Sequence, residues 1–289
     1  MKLRLLCLIA LLLTACRQEL LPDAPLPSIT SVFPTNTPGH AALVPATPTR
    51  AFSPAEALVS GPITIITLGD DLTHGDGDTI GRGYPERLVK LVNQIRPGSI
   101  VKNFSHSGWT SDDLIHGDGN LPGQLTRTLS EVELSALEWR ASVVLIWIGG
   151  NDLWKLYTGT SEVTVEQEEQ DVFRFSANMD TIISNLREAG AEVVIARLDD
   201  QAKRPAKSRS QTYPNITADE LLRMTKQIQR YNEVITQKAN QYGALTVDFY
   251  ETDIFTQPET LAPNGFHPNP VGYDLIAQTW YKALIKILP

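Results

Sequence analysis

The sequence feature that most constrains the fold is the unbroken apolar run VVLIWI at residues 143–148, which ends in Gly149 and Gly150. A strand exposed on one face alternates apolar and polar residues, whereas a strand covered on both faces is apolar throughout. The run therefore predicts a strand in the middle of a sheet that has helices on both faces. Sheets of this kind are usually parallel, and helices connect their strands.

The rest of residues 62–289 alternates between strand and helix patterns in the same way. One helical stripe of apolar residues runs from Val172 to Leu186 and stops before Gly190, and Thr217 with Glu220 forms a candidate capping box for a later helix. We expect a flavodoxin-like three-layer α/β/α sandwich around a parallel sheet of about five strands. The other predicted strands are residues 63–68, 99–104, 192–198 and 244–250.

The N-terminus resembles a bacterial lipoprotein signal. Lys2 and Arg4 precede an apolar segment at residues 5–13, which is too short to span a bilayer, since spanning takes about 20 residues. The segment ends in LTAC, which is similar to a lipobox. The resemblance implies that a signal peptide at residues 1–15 is removed and that Cys16 is acylated, so that the protein is anchored outside the cytoplasm at a membrane of the cell envelope. The alternative is an ordinary signal peptide with an incidental cysteine.

A tether is predicted at residues 16–61, because eight prolines between positions 22 and 54 interrupt any helix or central strand. Such a segment is extended and semi-stiff.

The two cysteines, Cys7 and Cys16, both lie near the N-terminus, so the predicted domain at residues 62–289 has neither a disulfide nor a thiol site. A formal net charge of −8 argues against nucleic acid as a partner. The sequence predicts no cofactor and leaves the oligomeric state open.

Glycines and polar residues follow the predicted strands, at the edge where parallel sheets of this kind bind ligands. GDDLTHG at residues 69–75 follows the first strand, Gly108 comes after the second, and GGND at residues 149–152 follows the third. NGFHPN at residues 264–269 precedes the last predicted helix. These four blocks, in this order, resemble those of the SGNH/GDSL hydrolase family of esterases and lipases.

The resemblance implies a serine acyl-transfer site for a lipid, glycan or small-molecule ester. Gly108 and Asn151 match the family's oxyanion donors, together with the backbone N–H of residue 71, and His267 matches the base. Two positions depart from the pattern: Asp71 stands where the family has its serine, and Asn264 stands where it has the aspartate that orients the histidine. The candidate catalytic residues are therefore Asp71, Asn264 and His267, and the candidate oxyanion hole is Asp71, Gly108 and Asn151.

The two departures leave the chemistry open. Asp71 lies on a strand-to-helix turn, where peptide N–H groups favour an anion, so we expect an ionised carboxylate. Such a group acts as a nucleophile in some enzymes, and it can also act as a base or pair with His267 and raise the pKa of that ring. An asparagine at the acid position costs about 10⁴ in kcat in serine proteases. The alternatives are a hydrolase that uses Asp71 as nucleophile or base, and an inactive ligand- or glycan-binding lipoprotein.

Several other residues give weaker candidate sites. The histidines lack zinc-ligand spacing, and the acidic turn around Asp70 does not match a calcium loop. The tryptophans near the blocks either pack in the core or face the substrate. These candidates are the zinc ligands His74, His106 and His116; the calcium ligands Asp70, Asp71, Asp76 and Asp78; the displaced nucleophiles Ser105, Ser107 and Ser111; the substitute acids Glu251, Asp253 and Glu259; and the aromatic residues Trp109 and Trp154.

Overall fold

The computed structural model of the protein describes residues 60–158, 162–205 and 216–288, together with Ser53 and Leu58. The expected signal peptide, Cys16 and most of the expected tether lie outside these residues. Residues 50–289 form one compact unit. Among the described helices, none combines the length and the apolar character that crossing a bilayer requires.

Within the described residues, five parallel strands form one sheet in the order β2-β1-β3-β4-β5. The predicted flavodoxin-like sandwich is therefore confirmed. The apolar run at residues 143–148 lies next to β1 in the middle of the sheet, and its side chains are at most 1% exposed. The strands are β1 (Ile63–Gly69), β2 (Ile100–Asn103), β3 (Ala141–Trp147), β4 (Glu192–Arg197) and β5 (Leu245–Asp248).

Helices cover both faces of the sheet. The described α-helices are α1 (Asp71–His74), α2 (Gly83–Val92), α3 (Ser111–His116), α4 (Gln124–Leu137), α5 (Gly150–Tyr157), α6 (Val165–Glu188), α7 (Ala218–Tyr242) and α8 (Pro270–Leu284). α2 packs on α8, and α6 packs on α7. Since strand order runs in opposite directions from β1 to β2 and from β3 to β4, right-handed crossovers place these two pairs on opposite faces. The predicted capping box is confirmed, because Thr217 and Glu220 bond each other's backbone N–H groups at the start of α7.

The strand order reverses between β1 and β3, so the chain leaves these neighbouring strands toward opposite faces of the sheet. A crevice opens at the carboxyl ends of the strands at such a reversal. The segments after β1, β2 and β3 all meet this crevice, and they carry the blocks that the sequence identifies.

α4 ends in a Schellman motif in which a tryptophan takes the place usually held by glycine. Trp139 donates its N–H to the Ala136 carbonyl at 3.1 Å, and Arg140 donates to the Ser135 carbonyl at 2.9 Å. Trp139 has φ = +57°, and its side chain is 94% exposed. A left-handed backbone costs a residue with a Cβ about 1–2 kcal/mol. The predicted helix at residues 124–139 thus stops at Leu137.

We expect Trp139→Gly to raise the free energy of unfolding by about 1 kcal/mol, because glycine adopts this backbone without strain and the exposed indole contributes little packing. Urea denaturation measures the change. Glu138→Gly is the matched control: Glu138 has φ = −87°, so the same substitution there should destabilise the domain. Equal destabilisation by both substitutions would show that Trp139 is not strained.

Candidate active site

The site begins where β1 ends, at Gly69. A Cβ at this position would lie 2.2 Å from the Trp147 carbonyl oxygen, so only glycine fits. The fully buried Gln124 amide holds the Gly69 peptide from both sides: its Oε1 accepts from the Gly69 N–H at 2.8 Å, and its Nε2 donates to the Gly69 carbonyl at 2.8 Å. This pair of hydrogen bonds fixes the start of the turn that carries Asp70 and Asp71.

Asp70 points inward and caps α1. Its Oδ1 accepts from the Leu72 N–H at 3.2 Å, and its side chain is buried. Burial raises the pKa of Asp70 well above its usual value, and the neighbouring Asp71 charge adds to this shift. The turn therefore places the Asp70 carboxyl group where burial makes ionisation unfavourable, and the Asp71 carboxyl group beside Gly108 and Asn151.

The Asp71 carboxylate is bound by the two groups that the family pattern assigns to the oxyanion. The Gly108 N–H donates to Oδ1 at 3.0 Å, and Asn151 Nδ2 donates to Oδ2 at 2.7 Å. Gly108 has φ = +79°, a backbone conformation in which glycine is favoured. Asn151 Nδ2 also donates to the Trp109 carbonyl at 3.2 Å, which holds the amide in place. A carboxylate of the protein itself thus accepts hydrogen bonds from both candidate oxyanion donors.

Asn264 determines which nitrogen of His267 carries the proton. Asn264 Oδ1 accepts from the backbone N–H groups of Phe266 at 3.0 Å and His267 at 3.1 Å, so the Nδ2 end of the amide faces the ring. Nδ2 lies 2.8 Å from His267 Nδ1. Because Nδ2 can only donate, Nδ1 is the acceptor and the ring proton lies on Nε2. A serine hydrolase uses the opposite tautomer, in which Nε2 is free to take the proton of the serine.

The His267 ring is disposed to remain neutral. Burial lowers the pKa of His267 and outweighs the nearby Asp71 charge, which raises it, while Arg204 lowers it further. The Asp71 charge thus raises the pKa of His267, as the sequence leads us to expect, but burial and Arg204 outweigh this contribution. At neutral pH the ring presents an Nε2–H donor to the cleft.

Residues that sequence reasoning missed hold the His267 loop. Arg204 donates from Nη1 to the Phe266 carbonyl at 2.8 Å, and its guanidinium forms a buried ion pair with Asp199 at 2.9 Å. Gly77 approaches from the other side, where an added Cβ would lie 2.8 Å from His267 Cβ. The sequence gives no sign that Arg204, Asp199 and Gly77 belong to the site, because they are far from His267 along the chain and form no distinctive motif. Their position near the His267 loop is visible only in the structure.

Asp71, Asp76 and His267 offer ligand atoms that all lie within 4.8 Å of one another, which is close enough to hold a metal ion. The tautomer set by Asn264 disfavours this use. A histidine that binds metal through Nε2 donates its Nδ1–H to an acceptor, whereas here Nδ1 faces the Asn264 Nδ2–H group. Metal binding would therefore require the Asn264 amide to break its two backbone hydrogen bonds.

The three candidate zinc histidines do not form a common site in the described residues. His74 Nδ1 lies 2.7 Å from Asp76, and the His106 ring stacks on Trp109 with the ring centres 4.8 Å apart. His116 ends α3. The four acidic residues of the turn do not form one site either. Asp71 and Asp76 lie close together, but Asp70 caps α1 and Asp78 forms an ion pair with Arg87 at 2.5 Å.

The serines are also engaged elsewhere. Ser111 is fully buried and donates to Asp152 at 2.6 Å, and Ser105 donates to Asn103. Ser107 Oγ donates to Asp76 at 2.9 Å and lies 3.1 Å from His74 Nδ1. That same nitrogen lies against Asp76, so it cannot accept the serine proton while donating to the carboxylate. Among the described side-chain hydrogen bonds, the His267 ring is joined to Asn264 and not to Glu251, Asp253 or Glu259.

The cleft beside these groups has a volume of about 250 Å³. Trp154 and Phe266 meet edge to face in its wall, with ring centres 5.7 Å apart, whereas Trp109 is buried against His106. Of the two tryptophans singled out in the sequence, Trp154 faces the cleft. The full lining is Asp70, Asp71, Leu72, Gly150, Asn151, Trp154, Gln201, Arg204, Asn264, Phe266 and His267.

The fold and the convergent oxyanion donors define an α/β domain of hydrolase type. Residues 67–275 match the GDSL-like Lipase/Acylhydrolase family. The chain belongs to this family. Among solved structures, it is similar to the psychrotrophic esterase EstA from Pseudoalteromonas, with 20% identity, a TM-score of 0.52, and 77% of this chain and 97% of that chain covered. A variant of the acetylxylan esterase Axe2 from Geobacillus stearothermophilus gives 18% identity, a TM-score of 0.52, and coverages of 78% and 95%.

Two further proteins are related in sequence. The uncharacterized protein YpmR of Bacillus subtilis is 27% identical over 231 residues, which cover 78% of this chain and 82% of that protein. A multidomain esterase of Ruminococcus flavefaciens is 22% identical over 252 residues, which cover 80% of this chain and 30% of that protein. The structural likenesses, at these low identities, establish the shared fold.

The burial of Asp70 predicts a pH-dependent gain in stability for Asp70→Asn. The folded domain binds the Asp70 proton more tightly than the unfolded chain does, so this carboxyl destabilises the fold at pH values above its ordinary pKa. Asparagine keeps the capping oxygen and removes the charge. We expect a higher free energy of unfolding at pH 7 and a gain that shrinks toward zero as the pH falls to about 4.

Asp78→Asn is the control with the opposite sign. Burial raises the pKa of Asp78, but hydrogen bonds from Arg87 and from backbone N–H groups outweigh it, so this pKa lies below its usual value. Asp78→Asn should therefore lower stability at pH 7, with a loss that fades in acid. Urea denaturation at several pH values measures both variants, and a pH-independent effect of Asp70→Asn would refute the assignment.

Proposed function

We propose that this domain is a ligand-binding member of its family, which holds an uncharged ester- or sugar-type ligand in the cleft without serine-type acyl transfer. The observation that carries the proposal is the pair of hydrogen bonds, at 3.0 and 2.7 Å, that Gly108 and Asn151 donate to the Asp71 carboxylate. A donor of this kind contributes about 3–4 kcal/mol to catalysis when it binds the substrate oxyanion. Here both donors are already bound.

The same geometry disfavours Asp71 as a nucleophile. For Asp71 to attack a carbonyl, its oxygens would leave Gly108 and Asn151 so that the substrate oxygen could take their place. His267 offers no compensating base, because the hydrogen bond from Asn264 keeps its proton on Nε2. In this arrangement the cleft therefore has neither free donors for an oxyanion nor a histidine nitrogen that can accept the proton of a nucleophile.

The lining of the cleft supports an uncharged ligand. Trp154 and Phe266 supply an apolar wall, and Asn151, Gln201 and Asn264 supply amides. The Asp71 charge repels carboxylates and phosphates. An acetylated glycan fits this chemistry, and the likeness to the acetylxylan esterase variant supports that class. With Cys16 acylated, the domain would meet such ligands outside the cytoplasm, in the cell envelope.

A second candidate function is hydrolysis by a water molecule that a carboxylate activates. The spacing within 4.8 Å among Asp71, Asp76 and His267 favours it, because a water molecule fits between such groups. Asp76 would accept a proton from the water as the hydroxide attacks the carbonyl carbon, and the His267 Nε2–H would hydrogen-bond to the leaving oxygen. The proton on Asp76 would then pass to the leaving oxygen as the C–O bond breaks. This activity would be lost in Asp76→Asn, which leaves Asp71 and its donors unchanged.

A four-protein comparison tests the proposal: wild type, Asp71→Ser, Asn264→Asp and the double variant, each assayed with a short-chain nitrophenyl ester. We expect background rates for wild type and Asn264→Asp. The double variant should hydrolyse the ester, because it regains a hydroxyl, free donors and a base with Nδ1 protonated. Asp71→Ser alone should be about 10⁴-fold slower in kcat than the double variant.

The controls separate the two candidates. Adding His267→Ala to the double variant should abolish its activity, and calorimetry with neutral acetylated sugars measures binding to the wild type. Wild-type turnover that Asp76→Asn abolishes would replace the binding proposal with the water mechanism. Wild-type turnover that Asp71→Asn abolishes and Asp76→Asn spares would restore Asp71 as the reacting group.

A further inference from the structure

One tryptophan of this protein stands apart from the others. The chain has five, and all of them lie in the described residues. Trp139 is 94% exposed, whereas the most exposed of the other four, Trp154, reaches 6%. Leu137 is 77% exposed and Leu134 is 55% exposed at the same end of α4. Leu134 and Leu137 are three positions apart on α4, so they share a face of the helix, and Trp139 lies two residues beyond the end of the helix.

Neither the backbone nor the packing of the domain accounts for this residue. Trp139 occupies the left-handed position of a Schellman motif, at φ = +57°, where glycine would be unstrained. Its indole ring is in water. Single exposed apolar side chains are common, but a strained aromatic residue beside two exposed leucines marks a contact surface. Burial within the domain therefore does not offset the backbone strain at Trp139, so a partner outside the domain is the candidate for this contact.

The position of Trp139 indicates what that partner is. Arg140 and Ala141 follow it, and Ala141 pairs with Ile63, the first residue of β1. Arg140 Nη1 donates to the Gly98 carbonyl at 2.6 Å, and a Cβ on Gly98 would lie 3.7 Å from Pro62. The expected tether therefore meets β1 at the amino edge of the sheet, the edge at which Trp139 lies. Upstream in the tether, Leu58 donates to the Ile287 carbonyl and Arg187 donates to the Ser53 carbonyl. The cleft lies at the opposite edge, where the strands end.

We propose that Trp139, Leu137 and Leu134 form a membrane-contact patch that seats the domain on the bilayer holding its acylated Cys16. Tryptophan favours the membrane interface, where its ring is in the apolar layer and its N–H stays hydrated. The tether raises the local concentration of the patch at the bilayer, so a weak contact suffices. The proposal rests on the lipid anchor proposed above and is independent of the chemistry of the cleft.

A bilayer fits this patch better than a second copy of the chain does. Three side chains are a small fraction of the roughly 800 Å² per partner that a stable protein interface buries. A membrane seated here would also turn the cleft outward. β1 has seven residues, so the sheet holds the cleft about 20 Å above the patch.

The experiment uses the mature chain with Cys16→Ser, so that any binding to added vesicles comes from the folded protein and not from the acyl group. Vesicles of phosphatidylethanolamine and phosphatidylglycerol are titrated while tryptophan fluorescence is followed, and co-sedimentation with the vesicles measures binding by every protein, because Trp139→Gly lacks the reporting side chain. Because the other tryptophans are buried, the change reports Trp139. We expect a blue shift, quenching by brominated lipids, and binding at least about tenfold weaker in Trp139→Gly.

Trp139→Gly keeps the Schellman motif and is expected to be the more stable protein, so its loss of binding cannot be attributed to unfolding. Phe173→Ser is the matched control, because Phe173 is 78% exposed on α6, away from the amino edge. It should bind vesicles as the parent does. An absent blue shift, equal binding by Trp139→Gly, or a blue shift that grows with protein concentration without lipid would overturn the proposal. Failure of acylation at Cys16, seen by mass spectrometry, would remove the anchor without altering these vesicle results.

Discussion

The hydrogen bonds from Gly108 and Asn151 to the Asp71 carboxylate determine what this cleft can do. In a serine hydrolase these donors bind the negative charge that develops on the substrate oxygen during the reaction. Here the group that accepts their hydrogen bonds is a side chain of the protein itself. The Asp71 carboxylate therefore occupies the two donors that a substrate oxyanion would need.

Asp71 and Asn264, the two departures from the family pattern, both alter the surroundings of His267. Compared with the family pattern that the sequence resembles, this chain has a carboxylate at the nucleophile position and an amide at the position that orients His267, so one carboxylate still lies near the ring. The direction of the hydrogen bonding at the ring has reversed. Asn264 donates to Nδ1, where an aspartate would accept, and the histidine changes from a proton acceptor at Nε2 to a donor.

The sequence predicted the fold and the location of the cleft, because both depend on local patterns. The apolar run at residues 143–148 could only suit a central strand, and the blocks after the strands had to meet at one edge. The sequence did not predict how the side chains of the cleft hydrogen-bond to one another. Gln124 and Arg204 act across long sequence separations, and the net pKa shift of His267 depends on burial. That Asp71 would bind the oxyanion donors, and not simply face His267, depends on side-chain geometry that no motif encodes.

The most direct test is the NMR scalar coupling across the hydrogen bond from the Gly108 amide nitrogen to the Asp71 side-chain carboxyl carbon. A bond of 3.0 Å predicts a measurable coupling in the wild-type domain at neutral pH. Absence of the coupling, with a Gly108 amide that exchanges freely with water, would show that the donors are open. The cleft would then be free to stabilise a substrate oxyanion, and Asp71 would not be the group that blocks acyl transfer.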